Sequence, residues 1–233
     1  MNSAGLVELD RETTEIGELI LRRRLVRSLD NLEVYEVKLG HEFLMSSLFH
    51  AAESELGMRA VQLFSERTGG RHPDVAVGGL GLGYTAAAAL EAGAAGITVV
   101  EMLAPVIRWH RDGLVPLGRT LAEDRRCRLV EADFFDLQWE MPRRYDAILV
   151  DIDHSPDLLL SEAHRRFYSE AGLRRLCKRL KPEGIFGLWS NEPAPEFAQT
   201  LEAVFTEVEV LPVSFFNPMQ KRQAENTLYL ATL

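Results

Sequence analysis

The order of apolar and polar residues changes character near residue 70. Before that point, Glu15–Leu25 has helical spacing, and the Arg22-Arg23-Arg24 run reads as its solvated end. Leu32-Glu33-Val34-Tyr35-Glu36-Val37-Lys38 alternates with period two, Gly40 breaks the run, and Glu42–Ser46 returns, which predicts a hairpin. A helix is expected from Ser47 to about Glu66. The turn formers Arg67-Thr68-Gly69-Gly70-Arg71-His72-Pro73 then mark a boundary. Residues 1–72 therefore read as a helix, a hairpin and a linking helix ahead of a second unit, 73–233.

Past the boundary, short apolar runs alternate with helical ones. Strands are expected at Val75–Gly79, Ile97–Glu101, Arg128–Asp133, Ala147–Asp151 and Ile185–Ser190, and helices at Tyr84–Ala92, Ala104–Asp112, Glu162–Leu180 and Glu196–Phe205. Such alternation predicts an α/β fold: a mostly parallel sheet covered by helices on both faces. Val208–Val213 and Thr227–Leu233 lack an intervening helical pattern, so the sheet is expected to end in an antiparallel pair.

Composition narrows the class of partner. A chain of 233 residues that is 46% hydrophobic and 26% charged suits one large α/β unit with a short appendage. Its net charge of −9 disfavours nucleic acid and anionic membranes. The two cysteines, Cys127 and Cys177, have no thiol neighbour for a zinc knuckle or a redox pair, so no metal and no disulfide is expected. Buried thiols, the lack of a membrane-length apolar run and the acids Glu8, Asp10, Glu12 and Glu15 near the start predict a cytoplasmic, soluble protein.

Candidate chemistry collects at predicted strand ends. Val75-Ala76-Val77-Gly78-Gly79-Leu80-Gly81-Leu82-Gly83-Tyr84 carries an apolar strand through glycines straight into a helix. Gly79, Gly81 and Gly83 permit tight turns and close approach of backbone to a ligand, and the helix start offers free N–H groups. The spacing is neither that of a dinucleotide loop nor that of a phosphate loop. Glu101 ends the next strand about twenty residues on, where a carboxylate can accept from both ribose hydroxyls. Asp133 ends the third, where it can accept from an adenine amino group beside the apolar wall of Phe134, or serve simply as a turn residue. The fourth delivers Asp151-Ile152-Asp153-His154 to the crevice; Asp151 is the first candidate for the reacting centre, with Asp153 and His154 as an acid/base pair.

From Leu32 to Leu233 these motifs resemble the spermidine synthase (polyamine aminopropyltransferase) family within the class I S-adenosylmethionine-dependent methyltransferases. The resemblance rests on Gly78-Gly79 after Val75-Ala76-Val77, Val100-Glu101 with Ala104-Pro105-Val106-Ile107, Tyr145-Asp146-Ala147-Ile148-Leu149-Val150-Asp151, Phe167-Tyr168 and Leu180-Lys181-Pro182-Glu183-Gly184. His41-Glu42-Phe43-Leu44 stands where Asp-Glu-Phe-Ile is usual. The resemblance implies a Rossmann-like fold and contacts from Gly79, Gly81, Glu101, Asp133 and Asp151 to an adenosyl co-substrate. That co-substrate would be S-adenosylmethionine or its decarboxylated form, the partner a small amine, and the assembly a homodimer through the hairpin region.

The departures fall on the amine side. Met45, Ser46 and Ser47 occupy the family's Tyr-His-Glu, Gly81 replaces an Asp that attracts the aminopropyl arm, and an ungapped match puts His154 at the base. A one-residue loop shift would hand that role to Asp153. Alkylation of a small amine by aminopropyl transfer leads; methyl transfer, which asks for fewer carboxylates, is close behind. A non-catalytic nucleoside-binding module is the third reading.

Overall fold

The computed structural model describes residues 5–136 and 143–233. It begins with a four-stranded antiparallel sheet in the order β1 (Leu6–Thr14), β2 (Gly17–Val26), β3 (Leu32–Leu39), β4 (Glu42–Ser46). The β3–β4 hairpin matches expectation, whereas the helix expected over Glu15–Leu25 is β2. Its period of two is real, since Leu19 and Leu21 are fully buried, but the arginine run hides it. Arg22 and Arg24 both point at Glu36 on β3, 2.7 and 2.6 Å from its carboxylate, and Glu36 is only 2% exposed. The arginines thus form the ion-paired wall of a strand and not a helix terminus. A tight turn at Glu15-Ile16 joins β1 to β2 at the residue where the helix was expected to start.

Helix α1 (Ala51–Arg67) leads into a seven-stranded sheet, with β5 (Asp74–Gly78), β6 (Gly96–Glu101), β7 (Cys127–Glu131), β8 (Tyr145–Val150), β9 (Leu180–Ser190), β10 (Glu207–Asn217) and β11 (Arg222–Thr232). Their order is β10-β11-β9-β8-β5-β6-β7; β5 to β9 run parallel, and β10 and β11 close the edge as an antiparallel pair. Between the strands lie α2 (Tyr84–Glu91), α3 (Ala104–Asp112) and α4 (Gly118–Glu123), the last not foreseen in the sequence. This is the expected α/β, Rossmann-like methyltransferase fold, with four strands where a helix and hairpin were predicted at its front.

The single helix expected over Glu162–Leu180 is broken. Ser169 adopts extended backbone and its hydroxyl accepts from Gly172 N, capping a new helix, Glu170–Cys177, after the short Arg165–Tyr168 turn. A Cβ on Gly172 would lie 2.3 Å from the carbonyls of Arg166 and Phe167, so the break is tight. The front sheet and the central sheet share apolar packing, with Leu19, Leu21 and Val37 in one cluster with Leu56, Val75 and Leu149. Trp109 Nε1 on α3 also donates to Asp10 on β1 at 2.6 Å, and Arg108 pairs with Glu12. Cys127 and Cys177 are free thiols, both pushed up to about 11 by burial. Among the described residues no helix is long and apolar enough to cross a membrane.

Candidate active site

The chain leaves β5 for β6 on one side and later returns through β8 on the other, which makes the β5/β8 edge a switch point where a crevice must open. A cavity of about 710 Å³ lies there, within the roughly 300–1,000 Å³ of small-molecule sites. Gly79, Gly81, Gly83, Glu101, Asp133, Phe134, Asp151 and His154 all line it; Asp153 does not.

Steric crowding explains the glycine loop. A Cβ on Gly79, which has φ +92°, would sit 2.1 Å from the Asp151 carbonyl oxygen, so the loop and the end of β8 lie backbone to backbone. Asp151 N donates to Gly78 O at 2.8 Å and secures that contact. At Gly81 the neighbour is instead the Met45 sulfur, 3.1 Å away. The Gly81 carbonyl accepts from Nε2 of His110, a buried residue whose ring is held neutral, its affinity for a proton lowered by burial.

Each carboxylate is held in a different way. Glu101 Oε2 accepts from Leu80 N at 3.0 Å and Oε1 from Leu103 N at 2.8 Å; withdrawal from water raises its pKa although backbone N–H groups oppose the shift. Asp133 accepts from Phe135 N at 2.8 Å, which is the turn role open to it from sequence, while it also faces the cavity. Asp151 accepts from Thr85 Oγ1 at 2.7 Å and from Trp189 Nε1 at 2.6 Å, and burial raises its pKa. Asp153, 4% exposed, accepts from Leu160 N, His164 Nδ1 and Tyr168 Oη, and so pins the 154–164 segment. His164 stacks on Phe135 with ring centroids 4.0 Å apart and, through that anchoring, lines the cavity.

Sequence reasoning passed over Glu53, in the first turn of α1. It faces the same cavity, and burial together with the Asp151 charge pushes it up to about 8. Tyr84 stands beside it, its phenol raised by burial and by the Glu53 charge, and its ring stacks on His50 at 3.9 Å. His50 is in turn lowered by burial. An acid three residues into an apolar helix is the only sequence signal Glu53 gives, and that signal fits any helix N-terminus. Among the described residues no cluster of His, Cys, Asp and Glu is arranged to hold a metal ion.

With the switch-point cavity, the glycine loop and the strand-end acids in place, the molecule has the Rossmann-like fold of class I methyltransferases in its spermidine-synthase-like form. Spermidine synthase from Thermotoga maritima superposes with a TM-score of 0.72 at 15% identity, over 97% of this chain and 72% of that one. A spermidine synthase in complex with the transition-state analogue AdoDATO gives a TM-score of 0.70 at 14% identity, over the same shares of the two chains. No protein-family model matches the chain, and no curated protein matches it by sequence.

Proposed function

We propose that the protein is a transferase that moves the aminopropyl group of decarboxylated S-adenosylmethionine to a small amine. The observation that carries this is the acidic make-up of the cavity wall. Among the described lining residues it presents Glu42, Glu53, Glu101, Asp133 and Asp151 and neither Lys nor Arg. Burial raises the proton affinity of Glu53, Glu101 and Asp151, and a bound cation offsets the cost of ionising them. The wall therefore favours a cationic tail and offers no cation to a carboxylate, which the decarboxylated nucleoside lacks.

In this reading Glu101 takes the ribose hydroxyls, Asp133 and Phe134 receive the adenine, and Gly79, Gly81 and Gly83 let the nucleoside lie against the loop. Asp151 sits at the reacting centre, its carboxylate fixed by Thr85 and Trp189. Glu53 and Asp151 together are the proton acceptor, with His154 on the neighbouring wall and Asp153 in a positioning role. In-line attack is then favoured by orientation and by charge aimed at the ammonium. Methyl transfer is the second reading, and one contact favours it: Met45 fills the space beside Gly81 where the resemblance implies an Asp.

Ligand-induced thermal stabilisation separates the two, because a ligand selective for the folded state raises its apparent stability by mass action. Decarboxylated S-adenosylmethionine is expected to stabilise at lower concentration than S-adenosylmethionine. The reverse order would transfer the assignment to methyl transfer, and no response to either, or to methylthioadenosine, would overturn nucleoside binding.

A further inference from the structure

The acceptor half of the cavity differs in character from the half assigned to the nucleoside. Beyond Glu53 and Asp151 its wall is aromatic: Trp189 with its N–H turned to Asp151, Tyr84 stacked on His50, and Phe49 against Phe215 with centroids 6.1 Å apart. The amide side chains at this end are neutral and partly engaged. Asn226 Nδ2 donates to the side chain and carbonyl of Asn191, and Asn217 Oδ1 accepts from the amides of Met219 and Gln220. The remaining lining carboxylate outside the nucleoside half, Glu42, is exposed at the rim.

A polyamine would bring a second primary ammonium into this wall. Such a group is strongly hydrated and needs acceptors for three N–H bonds, and the cation–π attraction of ring faces returns less than the hydration it would lose. The wall offers one charged station followed by aromatic surface, with only neutral amide groups beyond it. We propose, resting on the transferase reading above, that the acceptor is a monoamine with an aryl or alkyl body, its nitrogen between Glu53 and Asp151 and its body against Trp189, Tyr84, Phe49 and Phe215. The bound ammonium gives one proton to the Glu53–Asp151 pair, and the freed nitrogen lone pair attacks the propyl carbon attached to the sulfonium. The N–C bond forms as the C–S bond breaks. Sulfur keeps the electron pair and leaves as the neutral thioether, and the product is a secondary ammonium.

The test compares phenethylamine and n-hexylamine with putrescine and spermidine, using decarboxylated S-adenosylmethionine for turnover. Each amine's added thermal stabilisation over methylthioadenosine gives a second readout. The apolar monoamines are expected to show kcat/KM at least about tenfold higher, and Phe49→Ala and Phe215→Ala each to raise KM for phenethylamine roughly tenfold. Both variants should keep the nucleoside response. Higher kcat/KM for putrescine or spermidine, or no added stabilisation by any amine, overturns the inference. Absence of the nucleoside response itself would instead overturn the transferase reading.

Discussion

The two ends of the cavity are built by different means. At the end proposed to hold the nucleoside, candidate groups lie on the ends of successive parallel strands, and short contacts to backbone hold them: Gly79 against Asp151, Glu101 against Leu80 and Leu103, Asp133 against Phe135. At the end proposed for the acceptor, Glu53, Tyr84, Trp189 and Phe215 arrive from α1, α2, β9 and β10, and they meet only because the helix and the last hairpin fold over the sheet edge. The first end is specified locally. The second exists only in the tertiary structure.

If that contrast is right, the largest effect belongs to the backbone contact of the first end. Gly79→Ala places a Cβ on the Asp151 carbonyl at a positive φ, and should lower stability by about 3–5 kcal/mol, or about 10 °C in Tm. Gly81→Ala, at φ +50°, incurs the left-handed backbone cost but meets only a flexible methionine, and should cost about 1–2 kcal/mol. Equal losses, measured by thermal and urea unfolding, would break the distinction.

Next in size is Glu101→Ala. Losing charge-assisted hydrogen bonds worth roughly 1.5–3 kcal/mol should weaken nucleoside binding about ten- to hundredfold in a protein that still folds. Calorimetric titration with methylthioadenosine checks it, and unchanged affinity would move the ribose elsewhere.

The third prediction probes the acceptor end through pH. Glu53 titrates at about 8 in the folded protein against an ordinary 4.5, so the native state binds its proton more tightly than the unfolded chain does. Stability is therefore full below about 4.5 and declines as pH rises through about 8. Glu53→Gln, which carries no such charge, should melt with the parent near pH 4 and above it at pH 9. Coincident melting at both values would mean that the carboxylate is well hydrated and the acceptor end open.

The smallest effect is expected for His154→Ala. With the proton taken by Glu53 and Asp151, turnover should fall less than about tenfold and nucleoside binding should be unchanged; a general base typically contributes about 100- to 10,000-fold. A hundredfold loss in steady-state turnover would restore His154 to the base position.

The same contrast accounts for what could be read in the sequence. Strand-end residues announce themselves because an apolar run, a glycine or acid and a helix start are contiguous, so the parallel sheet and its ligand edge follow from local pattern. Glu53 has no local mark, since its raised pKa comes from burial in the tertiary structure and from the charge of Asp151, far away in the chain. At the front of the chain the local signal misleads. Three consecutive arginines read as a solvated helix end, and only the partner strand shows two of them paired with Glu36. Ser169 illustrates a finer limit, because a serine inside a helical pattern can sit in the helix or cap a new one, and only the structure shows that here it caps, with Gly172 close against the preceding turn.

The amide contacts of Glu101 have a thermodynamic consequence. Leu80 N and Leu103 N each donate to one of its oxygens, and the backbone N–H groups of Gly81 and Met102 also act on it. The side chain is thereby immobilised on folding. Its rotamer entropy is lost then and not on ligand capture, so a diol bound as proposed would meet a rigid receptor, at little additional ordering cost.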